Sequence, residues 1–187
     1  PGRMVTDMIG KYAGNSGEIG LIAVAIGFVV GIIMGTICAL KRNKQPDKIL
    51  SVIAILGISV PVFLVGSVLQ YLLTVVFPIF PTLGWGTPAH KVLPILCMAL
   101  SPLATYTRYM RSSVLDVINQ DYITMAEAKG LSFGQVVRRH VLRNSILPSL
   151  TILGPNVAGV FSGSFVIETI FSIPGLGYYY ITAVNDR

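Results

Sequence analysis

Long uncharged apolar runs alternate along this chain with short, densely charged breaks. Ile19 to Leu40 contains no charged residue. At ~1.5 Å of rise per helical residue it is long enough to cross a ~30 Å hydrocarbon layer. Lys41, Arg42, Lys44 and Lys48 crowd the break that follows, and residues 49–77 are then uncharged again. A third run covers 92–109, apolar up to Thr107, interrupted by Pro94 and Pro102 and ending where Arg108 can snorkel to the surface. A fourth covers 145–167 and carries Pro148, Gly154, Pro155, Gly159 and Gly163. The pattern predicts an all-α polytopic membrane protein with about four spanning helices at 19–40, 49–77, 92–109 and 145–167.

Within those runs a few residues carry more than hydropathy. Gly27, Gly31 and Gly35 recur every four residues and lay a smooth strip along one helix face, where another helix can approach closely or a path can be lined. Pro61, preceded by Gly57 and Ser59, lies near the middle of the second run and predicts a bend, either a packing adjustment or a hinge. The proline and glycine content of the fourth run is tolerated where neighbouring helices or a water-lined path satisfy the freed backbone groups. Residues 77–91, with Pro78, Pro81, Gly84, Trp85, Gly86 and Pro88, have loop chemistry and boundary aromatics, and His90 is a solvated loop residue there. Residues 1–18 suit a surface helix or loop at the interface.

The one long polar stretch runs from 108 to 144. Asp121 to Lys129 predicts a short helix closed by Gly130, and Ser132 with Gln135 three residues later forms a capping box that opens a second helix. A helix of about nine residues is marginal alone. Tyr122, Met125 and Ala126 share one of its faces and are expected to pack against something outside the chain, which makes this stretch a docking element.

Charge then fixes the orientation. Lys41, Arg42, Lys44, Lys48, Arg108, Arg111, Lys129, Arg138, Arg139 and Arg143 fall on one side of the spans, against Arg3, Lys11, Lys91 and Arg187 on the other. By the positive-inside rule the former side is cytoplasmic. Both ends of the chain then lie outside although Pro1 follows no signal peptide, so an upstream span is expected and the chain reads as a fragment. The composition agrees: 53% hydrophobic and 12% charged, against ~25% charged in a soluble domain, with a mean hydropathy of +0.73. The net charge of +6 sits in loops beside apolar runs, where topology demands it, so nucleic acid is not implied. Cys38 and Cys97 lie inside apolar runs and read as small hydrophobes.

Several chemistries lack their residues. There is no phosphate-cradling glycine loop, since Gly10-Lys11 has neither the preceding glycine spacing nor a following Ser or Thr. Nor is there a Gly-x-Ser-x-Gly turn or a zinc-binding His-Glu-x-x-His helix. The chain therefore reads as no enzyme, without a metal site or cofactor of its own. Glu168 is the remaining candidate. A carboxylate at the end of an apolar helix is expensive unless wet or paired, and it is followed by Phe171 and a turn at Pro174-Gly175-Leu176-Gly177.

Tyr122, Ala126, Lys129, Gly130 and Leu131, then His140, Leu142, Arg143, Asn144 and Pro148, then Glu168, Phe171 and Pro174 to Gly177 together resemble the membrane subunit of bacterial ABC peptide importers. The resemblance is to the B-type subunit of the oligopeptide and dipeptide permease branch and covers nearly the whole chain. It implies the type I ABC importer transmembrane fold, of which this piece would lack the first and last of six spans. It implies a multi-pass subunit of the bacterial cytoplasmic membrane. The 108–144 loop corresponds to that family's EAA loop, whose short helix docks on an ATP-binding subunit. The Glu-Ala-Ala positions fall on Thr124, Met125 and Ala126, so only the last alanine is kept, and Glu127 is out of register with the motif's glutamate.

The mechanism implied is alternating access. The partners would be a second permease subunit, two ATP-binding subunits that hold ATP and Mg, an external substrate-binding protein, the peptide and the lipid bilayer. Tyr122, Met125, Ala126, Lys129, Gly130, Leu131, His140 and Asn144 would serve ATPase coupling. Glu168, Phe171, Pro174, Gly175, Leu176 and Gly177 would form an outer turn or gate. The alternatives are a nickel or glutathione importer permease, or a secondary transporter or channel subunit. A channel, however, has no use for a docking helix.

Overall fold

The computed structural model describes residues 5–160, 165–177 and 179–180, with side chains from residue 9 onward. Among the described residues there is no strand. The elements in order are α1 (Val5–Leu40), α2 (Gln45–Ser59), α3 (Val62–Gln70), α4 (Pro88–Ile118), α5 (Asp121–Ala128), α6 (Phe133–Val136), α7 (Leu142–Ser145), α8 (Leu147–Val160) and α9 (Phe165–Ile170). Wider π turns extend α3 over Tyr71–Val76 and join α6 to α7 over Val137–Val141. Arg3, Gly163, Tyr178 and Arg187, and the part of the fourth apolar run at 161–164, lie outside the described residues.

Ile9–Leu40 is by itself long and apolar enough to cross a membrane, an 18-residue stretch of it averaging a hydropathy of 2.7. Gln45–Ser59 and Val62–Val76 reach that standard only when taken together. The expected runs at 92–109 and 145–167 fall on α4 and on α7 through α9. Three expectations change. Residues 5–18 do not form a separate surface piece, because α1 runs unbroken from Val5. No proline interrupts it, and Tyr12 and Ser16 are already buried. Pro61 does more than bend its helix: helical bonding ends at Ser59, and Pro61 turns to φ −56°, ψ 132° as the N-cap of α3. Proline pushes the preceding Val60 out of the α region, and Gly57 weakens the turn before it. Finally, the polar stretch from Arg108 does not begin as a loop. No helix breaker stands between Arg108 and Ile118, so α4 carries its polar end on as helix.

The chain forms two compact units, one from residues 1–25, 60–101 and 155–187 and the other from 26–59 and 102–154. In the second unit the glycine strip of α1 is a helix-packing seam with α4. A Cβ on Gly27 would lie 2.8 Å from Leu103 N and 2.9 Å from the Pro102 ring. On Gly31 it would lie 2.7 Å from Tyr106 Cβ, and on Gly35 2.5 Å from Thr107 O. Both strips advance by four residues, so each glycine meets a successive turn of α4, the close approach that small residues permit. Phe28 caps the seam edge-on to the buried Tyr106, with ring centroids 5.0 Å apart.

In the first unit Gly66 of α3 faces Ile167, Ile170 and Phe171. Gln70 Nε2 donates to Thr82 O at 2.8 Å and to Ile170 O at 3.2 Å, tying the 77–87 loop to the end of α9. Glu18 and Lys91 form an ion pair, and the Lys91 ammonium lies 4.6 Å from the Trp85 ring centroid. His90 faces Thr87, its Nδ1 lying 2.7 Å from the Thr87 hydroxyl.

Candidate functional site: a docking element and a latched turn

The sequence around α5 closes the helix by local bonding alone. Gly130 takes φ +83°. Its N–H donates to Glu127 O at 2.9 Å, and Leu131 N donates to Ala126 O at 3.4 Å. This is the Schellman pattern, with glycine at the left-handed position where a side chain would be strained. Three residues on, Ser132 and Gln135 form the expected reciprocal capping box, with Ser132 N donating to Gln135 Oε1 at 2.9 Å.

The inward face of α5 is not the one expected. Ile123 and Ala126 are buried in a cluster with Ala39 of α1, Met110 and Val114 of α4, and Val136 and Val141. Ala126 therefore packs within the chain, while Tyr122 and Met125 point outward at 39% and 60% exposure. Reading the alanine with its larger neighbours missed this, because Ile123 and Ala126, three apart, already make an inward stripe. Phe133, 58% exposed, adds to the outward surface. The π turn at Val137–Val141 keeps Val136, Val137 and Val141 buried while Arg138 and Arg139 reach solvent.

The remaining residues of this group are placed as follows. Leu131 packs at the edge of the cluster. Lys129 is the exposed C-cap of α5. His140 is half-buried. Asn144 Nδ2 donates to Tyr122 Oη at 3.1 Å and so binds α7 to α5. Ser145, fully buried, donates from Oγ to Ser113 O at 3.3 Å and ties α7 to α4. The element is short but braced against two long helices.

A second brace was not foreseen. Asp47, 4% exposed, accepts hydrogen bonds from Arg111 Nε at 2.7 Å and Nη2 at 2.9 Å. It also accepts from Asn43 N at 2.9 Å and Ser51 Oγ at 3.2 Å. Asn43 holds φ +64° in the turn after α1. One carboxylate thus fixes the α1–α2 turn to α4. The Arg111 guanidinium holds the Asp47 carboxyl well below the usual carboxylate range, and Asp47 raises Arg111 in turn. A lone carboxylate among Lys41, Arg42, Lys44 and Lys48, just after Pro46, was the available signal.

At the other candidate, Glu168 is fully buried, so it is the paired and not the wet alternative that holds there. The end of α9 repeats the pattern of α5: Ser172 N donates to Thr169 O at 3.2 Å and Ile173 N to Glu168 O at 2.8 Å, with Ser172 at φ +53°. The Glu168 main chain closes the helix, and its side chain holds the turn through an intermediary. Leu176 N donates to Ser16 Oγ at 2.9 Å, and the Ser16 hydroxyl donates to Glu168 Oε1 at 2.7 Å. Asn15 Nδ2 donates to Pro174 O at 2.8 Å. Gly175 lies so close that a Cβ there would stand 2.5 Å from the Glu168 carboxyl and 2.6 Å from Ser16 Oγ. Phe171 is buried and accepts from Gly84 N at 3.3 Å, and Gly177 is buried against Phe165. Tyr12 stacks on Tyr179 at 3.8 Å between centroids. The turn is latched onto the first half of α1. Nothing in the sequence marks Asn15 or Ser16 as its partners.

A family model described as "Binding-protein-dependent transport system inner membrane component" matches residues 27–187. The dipeptide transport system permease protein DppB of Bacillus subtilis is 41% identical over 187 residues, covering 100% of this chain and 61% of that protein. DppB of Lactococcus lactis is 39% identical over 183 residues, 98% of this chain and 60% of that protein. The oligopeptide transport system permease protein OppB of Escherichia coli is 31% identical over 185 residues, again 98% and 60%. The chain spans about 60% of the length of these curated relatives. Among solved structures, the crystal structure of an amino acid ABC transporter with histidines superposes with a TM-score of 0.72 at 17% identity, covering 97% of this chain and 81% of that one.

Proposed function

The chain belongs to the family of binding-protein-dependent transport system inner membrane components, and from that premise we propose that it is the permease subunit of an ATP-driven peptide importer. Its fold is the type I ABC importer transmembrane fold. Four spans at 19–40, 49–77, 92–109 and 145–167 cross the bacterial cytoplasmic membrane, with 108–144 in the cytoplasm, as the charge bias of the loops supports. The substrate is a dipeptide or oligopeptide, a reading supported by the names of the relatives.

The observation that carries the mechanism is the outward surface of Tyr122, Met125 and Phe133 on an element braced to α1 and α4. Apolar side chains exposed on a cytoplasmic loop mark a contact surface. A separate ATP-binding subunit seats there. Because Ile123 and Ala126 interlock with Ala39, Met110 and Val114, a push on α5 moves the ends of two spanning helices with it, and the path alternates between outward and inward access. The chain performs no bond chemistry, and ATP and Mg reside in the partner subunits. A second permease subunit and an external binding protein complete the importer. Uptake of labelled dipeptides and tetrapeptides by cells with and without the full-length subunit tests the reading. Loss of uptake supports it, whereas unchanged peptide uptake beside lost nickel uptake would replace it with the nickel importer.

A further inference from the structure

The unit formed by 26–59 and 102–154 borders an open cavity of about 830 Å³ along α2 and α4. Its lining includes the charged Arg42, Arg108, Arg111 and Asp116, and Ile55 and Ile58 of α2 supply an apolar wall. Arg111 is already matched by Asp47. Among the described residues Arg42 and Arg108 have no ion-pair partner. With Asp116 also in the lining, these unpaired groups sum to one positive charge. Ile55 and Ile58 stay 54% and 45% exposed, so the rest of this unit does not cover the wall.

From Asp47 at the head of α2 to Ile58 is about 16 Å of helix. In the membrane placement proposed above, on which this inference rests, the arginines stand at the cytoplasmic headgroups and Ile58 stands well within the hydrocarbon. A ligand that fits is therefore anionic at one end, carries a single charge, and is apolar over the next 10 Å or so. We propose that the cavity binds an anionic phospholipid of the cytoplasmic leaflet, its phosphodiester between Arg42 and Arg108 and an acyl chain along Ile55 and Ile58. Free phosphate would leave the apolar wall bare and bring more charge than the lining balances. A bound lipid there would brace α2 against α4 beside the Asp47–Arg111 clasp.

The test uses the full-length subunit in its importer complex, titrated with phosphatidylglycerol and followed by native mass spectrometry. Each arginine near an anionic headgroup accounts for about fivefold in affinity, so the double variant Arg42→Gln, Arg108→Gln should bind phosphatidylglycerol about thirtyfold more weakly. Lys48→Gln removes a neighbouring exposed cation outside the cavity lining and should bind as the unaltered complex does. Ile58→Gln should weaken phosphatidylglycerol while phosphatidylcholine stays weak throughout. Equal binding by the double variant, or an equal loss in Lys48→Gln, would overturn the proposal. So would glycerol 3-phosphate competing as well as the lipid, which would mean a free-anion site. A photo-cross-linker at residue 58 that captures protein instead of lipid would mean that a subunit fills the groove, and would overturn it too. None of these readouts depends on which substrate the importer carries.

Discussion

Replacing Glu168 separates a latch from a bystander. The carboxylate is fully buried and accepts the Ser16 hydroxyl at 2.7 Å, while the same hydroxyl accepts Leu176 N–H. Glu168→Gln keeps an oxygen where Ser16 donates and changes little in volume, so its effect should be small. Glu168→Leu removes the acceptor and leaves a buried hydroxyl proton unsatisfied. Leaving a buried hydrogen-bonding group unsatisfied costs about 1–3 kcal/mol. At about 2–4 °C per kcal/mol, that corresponds to a fall of roughly 2–12 °C in the melting temperature. The assay is thermal unfolding of the full-length subunit in its complex, run beside peptide uptake, with Ser16→Ala as the second half of the pair. Ser16→Ala should resemble Glu168→Leu, and the double change should fall short of the sum of the two, since both remove the same bond. If Glu168→Leu melts within 1 °C of the unaltered protein, or the two changes add fully, the latch does not hold the turn.

Three further outcomes follow from the geometry. Asp47→Ala strands Arg111 and should destabilise the subunit by about 2–3 kcal/mol at pH 7. Because the folded Asp47 carboxyl is held below its unfolded value of about 3.9, this stabilisation is complete above that value and is lost as pH falls through the folded one. Melting curves of both proteins should therefore converge only below about pH 4, and convergence already at pH 6 would contradict the clasp. Gly35→Val places a Cβ 2.5 Å from Thr107 O and 2.7 Å from Met110 Cβ, so α1 and α4 must separate. Folded yield should drop sharply, whereas Gly154→Val, with nothing within 4 Å of its added Cβ, should express normally. Gly130→Val meets no atom of its own chain within 4 Å and strains φ by about 1–2 kcal/mol. Membrane insertion should survive and ATPase attachment should weaken, as retained ATPase subunits and peptide-stimulated hydrolysis would show.

What the sequence made legible was whatever is settled within a few residues. Gly130 and the Ser132–Gln135 box are local devices, and both take the expected form. The Gly27–Gly31–Gly35 strip was readable because a spacing of four is itself a statement about one helix face, though not about which helix meets it. Side-chain pairing over long separations left no such trace. Ser16 lies 152 residues from Glu168 in a polar stretch of ordinary composition, and Arg111 lies 64 from Asp47. The face of α5 was misassigned for a related reason: Ile123 and Ala126 turn inward because Met110 and Val114 are there to receive them. Polar character alone also hid the length of α4, since Arg108 and Arg111 are good helix formers and can leave the apolar run without ending the helix.

If α5 and its outward side chains seat an ATP-binding subunit, the two must lie in contact in the assembled importer. A cysteine at Met125, carrying a benzophenone, in the full-length subunit of the assembled importer tests it most directly. Cys38 and Cys97 are both buried and do not compete for the label. Illumination should join residue 125, and likewise residue 133, to the ATP-binding subunit. A probe at Val52, equally exposed on α2, should not reach it. Cross-links from 125 and 133 that find only lipid or the other permease subunit, with none to the ATPase, would contradict the account.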